Sequence, residues 1–180
     1  QLQYTWLRSL QDNYTDFWNV TEDALTFALA SAEINDPALK KRLMDLYLKL
    51  TVYEEVPATL KSLQDAGIKC AILSNGSPDM LDAAVQSAGL GDVLDDVLSV
   101  ESVGVFKPDS RVYDLVGNRF GCELDQVLFV SSNGWDAAGA AGYGFTTAWV
   151  NRAGEPMDRL PWTPQHVLSD LTSIPQLAGS

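Results

Sequence analysis

The sequence has few of the residues needed for soft-metal or disulfide chemistry: two cysteines and one histidine in 180 residues. Cys70 lies inside an apolar run and Cys122 follows a glycine near a predicted helix end, so neither has a partner at zinc or disulfide-framework spacing. That usage suits a reduced, cytoplasmic protein. His166 stands near the C-terminus without a second histidine or a cysteine nearby, and reads as a surface or packing residue. Basic residues are also scarce, 12 against 24 acidic ones, for a formal charge of −12. Such a field repels nucleic acid and anionic membrane and argues against both as partners. No apolar run approaches the ~20 residues that cross a bilayer, and the opening residues show no basic-then-apolar leader pattern. Internal repeats and low-complexity runs are absent.

What is present is an ordinary globular composition, 46% apolar, enough for one substantial core and a small subdomain. The opening residues already follow helical periodicity, with Leu2, Trp6, Leu7 and Leu10 on one stripe. The chain therefore reads as starting inside an element, with residues upstream removed or not represented. Thr21, followed by Glu22 and Asp23, reads as the N-cap of a second helix. Asp36-Pro37 opens a third, with Leu39, Leu43, Leu46 and Leu48 giving an apolar face up to Leu50. Residues 1–55 are thus expected to form an all-helical cap subdomain. From Val56 the rhythm changes to alternating helix and strand, and residues 56–180 are expected to form a core of βαβ units. Strands are predicted over 69–73, 97–100, 127–130 and 146–150, with a short one near Val167. The predicted fold class is α/β, a Rossmann-like parallel sheet with helices on both faces.

Three strand ends carry polar residues. The run 127–130 passes straight into Ser131, Ser132 and Asn133, with Asp136 in the first turn of the next helix. In open parallel sheets ligands collect at this end, where loops and helix N-termini converge. The plainer reading is a helix cap with a dipole-complementing carboxylate. Strand 69–73 ends in Ser74-Asn75-Gly76-Ser77 ahead of Pro78, an arrangement suited to a carboxylate or phosphate, or else a simple turn and cap. After 97–100 comes Phe106-Lys107-Pro108-Asp109. Pro108 disfavours helix at Lys107, which is either solvated surface or an ammonium aimed at carboxylates in a shared cavity.

Together, Ser74-Asn75, Lys107-Pro108 and Ser131-Ser132-Asn133-Gly134-Trp135-Asp136, in that order with helices between, resemble the haloacid dehalogenase superfamily. With the segments 3–8 and 107–113 they look like its (S)-2-haloacid dehalogenase subgroup. The phosphatases of the superfamily carry a metal-binding carboxylate where this chain has Asn133, a poor arrangement for Mg²⁺. The resemblance implies hydrolytic dehalogenation of (S)-2-haloacids to (R)-2-hydroxy acids and halide through an aspartyl ester, with no metal or other cofactor. By matching positions, Ser74 and Asn75 would bind the substrate carboxylate and Lys107 would stabilise the charged nucleophile. Ser131, Asn133 and Asp136 would complete the polar shell, with Asp136 directing the hydrolytic water and Tyr113 supporting Lys107. Leu2, Phe17 and Trp135 would wall the substrate's alkyl group and the departing halide. A small 2-haloalkanoic acid is the implied partner, and homodimerisation through the helical region is implied too. A superfamily phosphatase, and a non-catalytic remnant binding a small carboxylate or a partner protein, are the alternative readings.

Two family features are not found in these residues. The family's nucleophile sits in a D-x-Y-G-T segment ending a first, central strand, and its halide-binding arginine follows. Arg8 belongs to the later Trp6-Leu7-Arg8 segment and does not match that arginine. Loss of the central strand would leave two neighbouring strands with unpaired backbone groups. Residues 1–180 alone are therefore not expected to be a stable, active monomer. The nucleophile would have to come from disordered or omitted residues, a separate chain or a swapped neighbour.

Overall fold

A computed structural model describes residues 1–179. Its first part is helical: α1 (Leu2–Leu10), α2 (Phe17–Ser31) and α3 (Pro37–Asp45), followed by a 3₁₀ turn at Leu46–Leu48. The third helix starts as predicted, with Asp36 accepting from the Leu39 N–H at 2.9 Å and Pro37 in its first turn. The second does not. Its N-cap is Asp16, which accepts from the Asn19 N–H at 2.9 Å, one turn before the expected Thr21. Thr21 lies inside the helix and donates its hydroxyl to the Phe17 carbonyl at 2.7 Å, which removes the need for a capping role.

The alternating part runs α4 (Val56–Asp65), β1 (Ala71–Ser74), α5 (Pro78–Ala88), β2 (Asp96–Ser99), α6 (Ser110–Phe120), β3 (Leu128–Ser131), α7 (Gly134–Tyr143), β4 (Thr146–Val150), β5 (His166–Leu168) and α8 (Ile174–Ala178). The predicted strands are all present, shifted by one or two residues at most for the first three. Helix α4 stops where Gly67 takes a left-handed conformation (φ 73°), letting the Gly67 and Ile68 N–H groups close on the Gln64 and Leu63 carbonyls.

Every pairing is parallel, as the α/β class requires, but the strands form two sheets instead of one. Strand β1 pairs with β2, and the order in the other sheet is β3-β4-β5. Among the described residues β1 and β3 each have a strand partner on one side only. Side chains nevertheless join the sheets on both faces. Leu73 of β1 packs against the cluster of Tyr113, Phe129, Ala140 and Phe145, while Cys70 and Ile68, just ahead of β1, pack with Leu63, Ala148 and Ile174. A third cluster, built on Val20, Val100, Val105, Phe106 and Val112, ties α2 to the loop after β2. Burial of Thr147, Ala148, Trp149 and Val150 makes β4 the most enclosed strand. The packing therefore holds the C-terminal ends of β1 and β3 around one spot, and the loop carrying Lys107 crosses it.

Candidate active site

Asp136 lies in the first turn of α7, immediately beyond the end of β3, and is 5% exposed. Its placement follows from the local sequence: β3 is apolar up to Val130, Asn133 takes the N-cap position, and the small residues 137–141 let α7 lie close to the sheet. Three donors surround the carboxylate. Lys107 Nζ approaches Oδ2 at 3.1 Å and Ser131 Oγ donates to the same oxygen at 3.0 Å, while Tyr113 Oη donates to Oδ1 at 3.2 Å. Lys107 is also 5% exposed, so the pair is a buried ion pair whose charges are compensated by hydrogen bonds.

Lys107 is fixed at both ends. Its ammonium donates to the Leu73 carbonyl of β1 at 2.7 Å and stands 4.9 Å from the Phe129 ring centroid. Its backbone N–H donates to Asn75 Oδ1 at 3.1 Å, and the preceding Phe106 N–H donates to Ser9 Oγ of α1 at 3.1 Å. Burial lowers the Lys107 ammonium below the ordinary lysine value, and the adjacent Asp136 offsets part of that fall. Burial, with the charge and hydrogen bond of Asp136 behind it, pushes the Tyr113 phenol well above its ordinary value, so it remains a donor.

The predicted site residues divide into three groups. Lys107, Tyr113, Ser131 and Asp136 meet in one network, with Asn75 joined through the Lys107 backbone. Ser74 ends β1, and its Oγ accepts from the Gly76 N–H at 3.0 Å. That acceptor role leaves its own proton free to donate outward. Asn133 is only half engaged: its backbone N–H donates to Ser131 Oγ at 3.2 Å, but its side chain is exposed and outside the network. Of the apolar residues, Phe17 packs on the Phe106 ring at 6.2 Å between centroids, beside the Lys107 loop. Trp135 meets Trp6 of α1 edge to face at 5.5 Å, and its indole N–H is buried without a hydrogen-bond partner. Leu2 is half-buried at the start of α1. Arg8 pairs with Asp23 of α2 at 2.8 Å, away from the network.

Two contributors escaped the sequence reading. Ser9 lies 97 residues before the N–H group that it accepts from, and nothing in local periodicity marks it. The Leu73 carbonyl is backbone, invisible to any reading of side-chain motifs. As for metal, no three His, Cys, Asp or Glu side chains gather closely enough among the described residues to hold an ion. What the cluster offers instead is one fixed anion beside a buried cation, at a strand end flanked by hydroxyl and amide groups. Such an arrangement can orient water and stabilise a second carboxylate.

Comparison with known proteins agrees with this geometry. Residues 3–144 match the family model of haloacid dehalogenase-like hydrolases. An (S)-2-haloacid dehalogenase from Pseudomonas sp. (strain YL) is 46% identical over 98% of this chain and 77% of its own length. (S)-2-Haloacid dehalogenase 4A from Burkholderia cepacia is 42% identical over 97% of this chain and 76% of its own. Among solved structures, an L-2-haloacid dehalogenase from Xanthobacter autotrophicus with chloropropionic acid covalently bound superposes with a TM-score of 0.91 at 36% identity, covering 99% of this chain and 82% of that one. A parallel α/β scaffold, a buried lysine-aspartate pair at its strand ends and these matches lead to one assignment: the chain belongs to the haloacid dehalogenase-like hydrolase family.

Proposed function

We propose that the protein hydrolyses (S)-2-haloacids to (R)-2-hydroxy acids and halide in two steps, through an ester on an aspartate. The observation that carries this reading is Asp136, held by Lys107, Tyr113 and Ser131 in one buried cluster. A carboxylate bound by three donors is a weak nucleophile but a well-oriented acceptor for the proton of an attacking water. The nucleophile is accordingly a different aspartate, brought to the cluster between β1 and β3. Its carboxylate attacks C2 of the substrate and expels halide with inversion. Water directed by Asp136 then attacks the ester and releases the hydroxy acid, regenerating the aspartate.

In this reading Lys107 keeps the nucleophile charged, and Ser74 and Asn75 bind the substrate carboxylate. Asn75 already uses Oδ1 for the Lys107 N–H, which leaves its NH₂ as the group to donate. Leu2, Phe17 and Trp135 form the apolar wall, and Asn133 belongs to the polar shell. The reaction needs no metal. Asp136 is already neutralised by an ammonium, and a divalent cation wanting several oxygen ligands would have to displace it. Residues 1–55 act as a helical cap on a core of 56–180, joined to it through Ser9 and Val20. The protein is a cytoplasmic homodimer that pairs through exposed apolar residues of the helical part, such as Leu10 and Phe27.

The test is halide release from (S)-2-chloropropionate by the intact enzyme, with and without EDTA. Stereospecific release unaffected by EDTA is expected. EDTA-sensitive phosphatase activity without halide release would reject the proposal.

A further inference from the structure

We infer that Gly139 is a positioning residue, whose missing side chain lets Tyr113 reach Asp136. Gly139 stands three residues after Asp136 on α7, so the two share a face of the helix. A Cβ at 139 would lie 2.8 Å from Tyr113 Oη and 2.8 Å from Pro108 Cβ, closer than side-chain carbons approach. Neither neighbour has room to retreat. Tyr113 is fully enclosed, with the rings of Phe129, Tyr143 and Phe145 around it at centroid distances of 5.8, 5.3 and 6.1 Å. Pro108 is held between Lys107, whose backbone is bonded to Asn75, and Asp109, which caps α6. An added methyl group therefore either drives α7 and its Asp136 outward or breaks the Tyr113 hydrogen bond to Asp136.

Helix propensity does not account for this glycine. Positions 137, 138, 140 and 141 of α7 are alanine, the better helix former, and glycine inside a helix is unfavourable relative to alanine. The helix has a second close approach at Gly142, where a Cβ would come within 2.5 Å of the Trp162 ring. Trp162, however, is largely exposed and free to swing away. The two glycines thus form a matched pair, one against an immovable catalytic neighbour and the other against a movable surface ring.

The kinetic test rests on the dehalogenase reading. In the intact enzyme Gly139→Ala is expected to slow ester hydrolysis about tenfold with KM changed less than about twofold, as a small misplacement of a catalytic group does. Gly142→Ala should stay within about twofold of wild type. In a Tyr113→Phe background Gly139→Ala should cost clearly less than in the wild-type background, because the clashing hydroxyl and the bond it protects are gone and only the contact with Pro108 remains. Wild-type turnover by Gly139→Ala, or a full tenfold loss that persists in the Tyr113→Phe background, overturns the inference. Should Gly139→Ala not fold, the double variant, which is left with the Pro108 contact alone, is expected to recover folded protein in part, and no gain over Gly139→Ala counts against the proposal. A wild-type enzyme that releases no halide overturns the reaction assignment instead. The positioning role is then decided by a crystal structure of Gly139→Ala: a Tyr113–Asp136 separation beyond hydrogen-bonding range supports it, and an unchanged 3.2 Å refutes it.

Discussion

The helical first fifty residues and the strand-end cluster treat charge and apolar surface in opposite ways. In the helical part Leu10, Phe27, Leu46 and Leu50 stay exposed, and the charges form open pairs such as Arg8 with Asp23 and Lys40 with Glu22. Exposed pairs of this kind contribute about 0–1 kcal/mol. At the strand ends an ammonium and a carboxylate are taken almost wholly out of water, and every contact that makes this tolerable is supplied: a carbonyl, a hydroxyl, a phenol and an aromatic face. The first region leaves its apolar side chains and ion pairs open to solvent. The second contributes fixed geometry, whose value appears only if the rest of the reaction meets it.

The contrast sets the order of expected effects. Lys107→Ala should be the most damaging change, since it leaves Asp136 buried without its cation. It should cost about 3–5 kcal/mol in urea unfolding, as breaking a buried pair does, and it should abolish the first chemical step. A loss no larger than that of an exposed pair would mean that the cluster is open to water. The pH profile provides a subtler probe. Because burial lowers the Lys107 pKa, its proton leaves as pH rises through a value below the ordinary 10.5, so ester formation should lose activity earlier than a solvated lysine would allow. Asp136→Asn removes the acidic neighbour that opposes the shift, and should move that alkaline limb further down. An upward movement would contradict the pairing.

Smaller effects belong to the helical region. Phe27→Asp should leave stability within about 0.5 kcal/mol yet convert a dimer to a monomer in sedimentation velocity, provided the interface runs through that face. Lys40→Ala should be smallest of all, shifting stability by less than about 1 kcal/mol and less still in high salt. A large cost there would show that the helical part is as tightly specified as the core.

Legibility in the sequence follows the same division. Runs such as Leu128 to Val130 and the helical spacing of 110–120 are local signals, and the alternation of strand and helix could be read from them. Lys107, Tyr113, Ser131 and Asp136 are legible as a set only through the family resemblance that their segments carry; read alone, Lys107 is equally a solvated surface residue and Asp136 a dipole-complementing carboxylate. The start of α2 was misread at Thr21, since a threonine followed by two acids imitates a cap, whereas Asp16 does the work one turn earlier. What local pattern could not supply were relations between distant residues: the Ser9 hydroxyl under the Phe106 N–H, and the use of Asn75 Oδ1 by the Lys107 backbone. Those depend on how elements pack after they form, and residues 97 or 32 apart share no periodicity.

The most direct measurement is the intact mass of the enzyme carrying Asp136→Asn after exposure to (S)-2-chloropropionate. If Asp136 directs water onto an ester that another aspartate forms, the variant should gain the mass of the bound propionate residue and release about one halide per active site before stalling. Continued turnover at the wild-type rate with no change in mass would contradict the account.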